Sequence, residues 1–398
     1  MSVSVYAINS TLSQVTQEGM QGFLHSVSEA LGEALIPVDA KTLAALPFGL
    51  VYIASGGSED RFMADYFPLM DRTRPCRILT SGDSNSLAAS MEILSRLHEE
   101  GCEGEILHGS LSFIAERIRI LSRAAQAKAA LTGLRLGLVG APSDWLIASS
   151  YDPDALHAKL NAEIVPISMD ELLQEISAGG YPESVWTAQL LGLGYDRAEV
   201  EKSLQVYGAL RRLVERYQLG AVTVRCFDLL DSVQTTGCLA LAILNAEGIY
   251  AGCEGDVPSA LSMAILGAVS GQPGFMCNPS RIDMETGNMI LAHCTLPLNM
   301  PYALNLTTHY ESGIGVAIAG SIPEGPCTVF KADGTLSRYY VKAGRLTQNL
   351  REPCLCRSQI RVELDDFSYF LTNPIHNHHI VCVGDHTAAV EEFFRLLH

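Results

Sequence analysis

The sequence predicts an α/β protein, with N-terminal Rossmann-like parallel-sheet domains followed by a mostly β, barrel-like C-terminal domain. Two observations predict it. Up to about residue 300, short β-branched runs alternate with longer helical patterns, which is how βαβ units around a parallel sheet read. Beyond that point the runs shorten and Gly and Pro turns separate them. At 398 residues the chain exceeds one ordinary core, and 48% hydrophobic with 18% charged residues describes a compact globular protein. The expected division is residues 1–130, an α/β domain; 131–300, a second α/β domain carrying the acidic candidates; and 301–398, the mostly β part.

In the first domain, VSVYAI, LVYIAS and RILTSG read as strands, with helical patterns over 12–35, 61–70 and 87–100. Two loops rich in small polar residues follow strands: SGGSED (55–60) and SGDSNS (81–86). Strand carboxyl ends are where ligands bind in open parallel sheets. Neither loop has the G-x-G-x-x-G or Walker spacing, so no nucleotide is assigned and an NAD-dependent oxidoreductase is disfavoured. Tight turns and helix N-caps account for the composition of both. A helix ends near RAAQAKAALTG (123–133), and LRLGLVG (134–140) opens the second α/β unit. That unit continues through EIVPIS, helices over 169–176 and 199–217, and the strand AVTVRCF (221–227). Late in the chain GVAIAGSI, CTVFKADGTLSRYYVKAG, QIRVEL, FSYFL and IVCVG read as short strands, with ADGT as a hairpin turn. A helix over 387–397 closes the chain, with Asp385 or His386 near its start.

A formal net charge of −17 repels phosphate backbones and anionic membrane surfaces, which argues against nucleic-acid and membrane partners. The opening MSVSVYAINS has no basic, apolar leader pattern, and Gly or charge breaks every apolar run short of a membrane span. A soluble, cytoplasmic protein is therefore expected. Eleven cysteines, an odd number, point to reduced thiols, and Cys354 and Cys356 have no second pair at zinc-knuckle spacing.

The chemistry concentrates in three places. In GIYAGCEGDVPSALSMAILGAVSG (248–271) an apolar strand ends at Cys253, and Glu254 and Asp256 follow before a helix that starts near Pro258. Two carboxylates one residue apart need a cation, a proton or a helix end to offset their repulsion. Asp256 alone reads equally well as a helix cap, whereas a carboxylate straight after a buried run, as at Glu254, is costly without a partner. One βα unit earlier, AVTVRCFDLLDS (221–232) runs into Asp228, otherwise a plain loop acid. If the two strands are neighbours in one parallel sheet, both acids emerge on one edge. The third place is PIHNHHIVCVGDH (374–386), with four of the chain's eleven histidines. On a turn entering the strand IVCVG, His376 and His378 share one face and His379 takes the other. His293, His309 and Arg357 each stand beside an apolar strand, where a packing histidine or a solvated arginine is the commoner case.

The segments SGDSNSLAASMEIL, GAPSDWLIASS, CFD, AGCEGDVPSALSM, LAHCTLP and NHHIVCVGDH resemble the L-fucose isomerase and L-arabinose isomerase superfamily, within it the shorter fucose-isomerase-like proteins. That resemblance implies a divalent ion, usually Mn²⁺ with Mg²⁺ or Co²⁺ as substitutes, held by two carboxylates and a histidine. By position these fall on Asp228, on Glu254 or Asp256, and on His378 or His379. Asp228 stands where the superfamily usually carries Glu, one methylene longer. The implied function is a metal-dependent aldose–ketose isomerase acting through an enediol on a small sugar: a pentose, a deoxyhexose or a C6-modified hexose such as a sulfonated one. Asp228 and Asp256 take the acid and base roles, and Asp228, Glu254, Asp256 and His378 the metal. His293, His309, Arg357, His376 and His379 face the sugar. By analogy the protein is a homo-oligomer, a trimer or hexamer with sites between subunits. The alternative is a non-catalytic sugar-binding or regulatory protein with a degraded site.

Overall fold

The computed structural model describes residues 2–11 and 13–397 and divides after Ala129 into two compact units. The first contains β1 (Ser2–Ile8), β2 (Ala34–Pro37), β3 (Leu50–Ile53), β4 (Cys76–Leu79) and β5 (Gly104–Leu107), all parallel, in the order β2-β1-β3-β4-β5. Every residue of β3 is buried, as befits a central strand covered on both faces. The order places the loops after β3 and β4 side by side. Their polar groups serve one another: the Gly56 N–H donates to the Ser84 carbonyl at 2.7 Å and Thr80 Oγ1 to Ser86 Oγ at 2.7 Å.

Part of the expected pattern changes here. The helical pattern over 12–35 is a helix only across Gln17–Leu31, while Leu12 lies outside the described residues. Thr16 caps its start, and Gly32 at φ 73° ends it in the left-handed region. Ala34–Pro37 then forms the edge strand β2, which buries only Leu35 and so gives almost no apolar signal. The pattern over 61–70 becomes a three-residue α-turn and a π-turn, Phe62–Tyr66.

The second unit holds a parallel sheet, an antiparallel barrel with a two-stranded sheet beside it, and a helix packed between the parallel sheet and the barrel. Strands β6 (Arg135–Val139), β7 (Glu163–Ile167), β8 (Ala221–Val224) and β9 (Tyr250–Cys253) form a parallel sheet in the order β7-β6-β8-β9. The remaining strands are β10 (Phe275–Asp283), β11 (Asn288–His293), β12 (Ala303–Thr307), β13 (Ala317–Ser321), β14 (Gly325–Ala332), β15 (Tyr339–Leu350), β16 (Ser358–Glu363) and β17 (His379–Val383). Six of them close an antiparallel barrel in the order β10-β11-β16-β15-β14-β17, and β12 pairs with β13 beside it. The barrel thus takes two strands from before residue 300. Of these, β10 is hidden in the sequence because Pro279 interrupts its run, and the register shifts at that residue, where a proline is tolerated. FSYFL, expected as a strand, is the short helix Ser368–Thr372, started by the Asp366 carboxylate accepting from the Ser368 N–H at 2.8 Å.

The helix Val257–Ser270 is buried along almost its whole length and packs on β9 of the sheet and on β14 and β17 of the barrel. A helix apolar all round belongs in such a sandwich. Its N-terminus therefore points Asp256 at the place where sheet edge and barrel rim meet. No helix among the described residues is long and apolar enough to cross a membrane.

Candidate metal centre

The sheet pairs Val224 of β8 with Cys253 of β9, so the loops that follow both strands leave the same edge. After Cys253 the chain turns sharply. Glu254 has φ 64° and Gly255 φ 68°. A left-handed glutamate is strained by about 1–3 kcal/mol and persists only where its surroundings hold it. They do so here: the Glu254 carbonyl accepts from the Ser143 N–H at 2.9 Å. A Cβ on Gly255 would stand 2.3 Å from the Ala141 carbonyl oxygen, so only glycine lets the 141–145 loop come this close. That loop delivers Trp145, whose indole Nε1–H donates to Glu254 Oε2 at 2.6 Å.

The barrel supplies the imidazoles. His378 is the residue before β17, and His293 ends β11. Both are buried, and their rings meet edge to face at 5.5 Å. His378 Nδ1 lies 2.9 Å from Asp256 Oδ2, and its Nε2 lies 3.5 Å from Glu254 Oε1. The second contact is longer than a hydrogen bond, which leaves Nε2 a buried polar atom without a hydrogen-bond partner. His293 Nδ1 is engaged by Thr295 Oγ1 at 2.9 Å, which turns Nε2 to the other side of the ring. Glu254, His293 and His378 each offer a ligand atom, and the three atoms lie within 4.8 Å of one another. A divalent ion fits this set. One nitrogen of each ring is engaged by a neighbouring oxygen, Asp256 Oδ2 for His378 and Thr295 Oγ1 for His293, and His378 presents its other nitrogen beside the Glu254 carboxylate, as metal-bound histidines are oriented.

Charge in this pocket is finely balanced. Burial pulls the His378 pKa down, but the hydrogen bond with Asp256 and the negative charge of the nearby Glu254 more than reverse this and hold it at about 9. Burial raises the Glu254 carboxyl, and His378 and the Trp145 indole bring it below its ordinary value. His293 is pushed down to about 3 by burial and then by the charge on His378. Lys331 of β14 is wholly buried, donates to Ser259 Oγ at 2.6 Å and stands 3.9 Å from Asp256 Oδ2. Burial lowers its pKa and Asp256 opposes that. A doubly charged ion in place of the His378 proton would leave two carboxylates facing the ion and Lys331.

The remaining sequence candidates divide sharply. Asp256 caps the Val257–Ser270 helix, accepting from the Ser259 N–H at 2.8 Å and Ser259 Oγ at 2.6 Å besides contacting His378 and Lys331. Its lone pairs are occupied on every side, and it is absent from the three-residue cluster. Asp228 is 41% exposed and pairs with Arg225 at 3.1 Å; Arg225 also grips Asp144 at 2.8 Å and the Pro142 carbonyl at 2.7 Å. His379 faces away from His378 as strand alternation requires, with Nε2 at 2.9 Å from Tyr369 Oη and Nδ1 at 2.9 Å from the Asn377 carbonyl. His376 adopts φ 58° and lines a separate cavity of about 290 Å³ with Arg338, Asp333 and Thr335. His309 packs edge to face on Phe227 at 5.6 Å, and Phe227 on Trp145 at 4.9 Å. Burial and the nearby Arg357 charge lower the His309 pKa, while Glu254 opposes them.

Trp145, Lys331 and Thr295 escape a reading of the residues one by one. Lys331 sits in the alternating hairpin CTVFKADGT, where a lysine reads as solvent-facing. Trp145 gives more of a signal, as one of two tryptophans in a polar loop after a strand.

No family model matches the chain. It is similar to two proteins named sulfoquinovose isomerase. To that of Alkalicoccus urumqiensis it is 26% identical over 190 residues, 46% of this chain and 42% of the relative. To that of Clostridium sp. (strain MSTE9) it is 26% identical over 260 residues, 61% of this chain and 57% of the relative. The matched region thus spans about half the length of these relatives. The similarity is a distant one to sugar isomerases and does not single out L-fucose isomerase.

Proposed function

We propose that the chain is a metal-dependent aldose–ketose isomerase whose divalent ion is held by Glu254, His293 and His378. The observation that carries this reading is the buried His378 Nε2, which has no hydrogen-bond partner and is aimed at a carboxylate within a three-ligand cluster. The name of the two relatives supports the sugar-isomerase class. Two imidazoles and one carboxylate make a donor set suited to Mn²⁺, Co²⁺, Fe²⁺ or Zn²⁺, and poorly suited to Mg²⁺, which prefers oxygen.

When bound, the cation supplies Lewis-acid stabilisation of the oxyanion formed as the carbonyl moves between C1 and C2. The protein residues do the rest. Asp256, itself flanked by Ser259 and Lys331, fixes the His378 ring, and Trp145 fixes the Glu254 carboxylate. Proton transfer needs a base that is not already committed. Asp256 and Asp228, the first candidates on sequence grounds, are held by His378 with Ser259 and by Arg225, respectively. His309 fits better. Its Nδ1 contacts Ser312 Oγ at 3.0 Å, and its Nε2 has Glu311 only at 3.9 Å. Its lowered pKa keeps the ring neutral, able to take the C2 proton and return it at C1. Trp145 and Phe227 offer aromatic faces to the apolar side of a sugar.

The test is a panel of aldoses, sulfoquinovose included, with protein stripped by EDTA and reloaded with Mn²⁺, Co²⁺, Zn²⁺ or Mg²⁺. Ketose formation that disappears on stripping and returns with Mn²⁺ or Co²⁺ is the expected result; turnover that ignores the chelator would sink the metal role. One observation favours a second reading, a sugar-binding protein without turnover: Asp228 is tied to Arg225 rather than turned to the cluster. That reading predicts metal and sugar binding with no exchange of the C2 hydrogen into solvent.

A further inference from the structure

We infer that Arg357 anchors an anionic substituent at the far end of the sugar, a C6 sulfonate, and thereby sets the substrate class. The inference rests on the isomerase reading above. Its starting point is strand register. His293 of β11 pairs with Ser358 of β16, so Arg357 stands one residue beyond the cross-strand partner of a proposed metal ligand. Arg357 also holds Thr308, whose neighbour His309 packs on Phe227, Phe227 on Trp145, and the Trp145 indole bonds Glu254, so the guanidinium stands on a chain of contacts that ends at the cluster.

The side chain is positioned, not free. Nε–H donates to the Thr308 carbonyl at 2.8 Å, Nη2–H to Thr308 Oγ1 at 3.3 Å, and the guanidinium lies over the Tyr310 ring at 5.5 Å. These contacts hold one edge and one face of the group and leave Nη1 unused. Arg357 also lowers the His309 pKa, which agrees with a charge directed at the site rather than at solvent. The other cations named around the site are spent: Arg225 on Asp144 and Asp228, Lys331 beside Asp256. Among the described residues no carboxylate pairs with Arg357, although the chain has 44 acidic residues against 27 lysines and arginines. A half-buried guanidinium pre-oriented in this way and lacking a counter-charge is completed by an anion with several oxygens, which its fork binds through parallel charge-assisted hydrogen bonds. A neutral C6 hydroxyl would leave that charge uncompensated. In a protein of net charge −17, an anionic sugar also needs a local cation to hold it.

The test separates the anchor from turnover. Calorimetry on the Mn²⁺-loaded protein compares non-isomerising alditols that differ only at C6: hydroxyl, sulfonate, phosphate and carboxylate. The sulfonate is expected to bind at least about 30-fold more tightly than the hydroxyl, and Arg357→Gln to remove most of that ratio, as loss of a charge-assisted pair does. Arg357→Lys should restore part of it, and Tyr310→Leu should reduce it less. Circular dichroism and bound-metal content check that each variant still folds. Equal weakening of sulfonate and hydroxyl alditols by Arg357→Gln, or an unchanged ratio, overturns the anchor; a phosphate or carboxylate bound more tightly than the sulfonate overturns the sulfonate assignment. Failure of the isomerase reading looks different: no aldose is turned over, whatever the alditol ratio.

Discussion

The described residues form two parallel sheets, and in each a polar loop at the carboxyl end of a strand contains non-glycine residues at positive φ. After β4 these residues are Ser84 (φ 51°) and Asn85 (φ 60°); after β9 it is Glu254 (φ 64°). Both loops leave the carboxyl end of a parallel strand, β4 inside its sheet and β9 at an edge, and the outcome differs. In the first unit the loop hydroxyls and amides bond to one another, Ser58 Oγ to the Ser55 carbonyl at 2.7 Å and Ser55 Oγ to Asn9 Oδ1 at 2.7 Å, so the loops close on themselves. After β9 the sheet edge supplies only the carboxylate, and the barrel brings His293 and His378 to it. Strained backbone at a strand end marks a site only when a second layer delivers ligands that the loop cannot satisfy alone.

The largest effects that would break this contrast lie at the cluster. Replacing His378 or Glu254 by Ala should abolish stoichiometric metal by elemental analysis and lower turnover by at least about 1000-fold, with the circular dichroism spectrum kept. Turnover at wild-type level in either variant would return both loops to the same status. His309→Gln should retain the ion and lose about 100- to 10,000-fold in kcat, as removal of an acid–base group does; solvent-deuterium incorporation at C2 should fall with it.

Stability gives the next measure. Asp256→Ala removes the partner of buried Lys331 and His378 at once, and leaving a buried charge unpaired costs about 3–5 kcal/mol. Chemical denaturation should show that loss, together with metal affinity weakened about 10- to 100-fold through the misoriented ring. A loss under about 1 kcal/mol would mean that the helix cap is all Asp256 does. The smallest effect belongs to the first unit. Ser84→Gly relieves a left-handed serine and should change stability by no more than about 1 kcal/mol, measured by the same denaturation, with metal content unaltered.

Much of this architecture was legible in the sequence, because buried strands such as LVYI and AVTV announce themselves. What was hidden had physical causes. β2 buries a single side chain, and β10 carries a proline at a bulge, so neither shows a strand's pattern. At the site, the acid after the β9 run and the histidine before β17 stood out because a carboxylate and an imidazole at the ends of apolar strands need partners. Asp256 and His293 were also visible, but which of a set of nearby groups faces the cavity depends on hydrogen bonds that no spacing reports: Ser259 and His378 hold Asp256, and Thr295 turns His293. Arg225, three residues before Asp228, captures that carboxylate locally, an interaction within reach of sequence reasoning that the strand pattern outweighed.

In the proposed site the ion binds between the sheet edge and the barrel through Glu254, His293 and His378. Anomalous diffraction from crystals grown with Mn²⁺ tests it most directly. A single strong peak is expected in the second unit, bonded to those three side chains, with Asp256 still on His378 Nδ1. A peak on Asp228 or Asp256 instead, or none at saturating Mn²⁺, would contradict it.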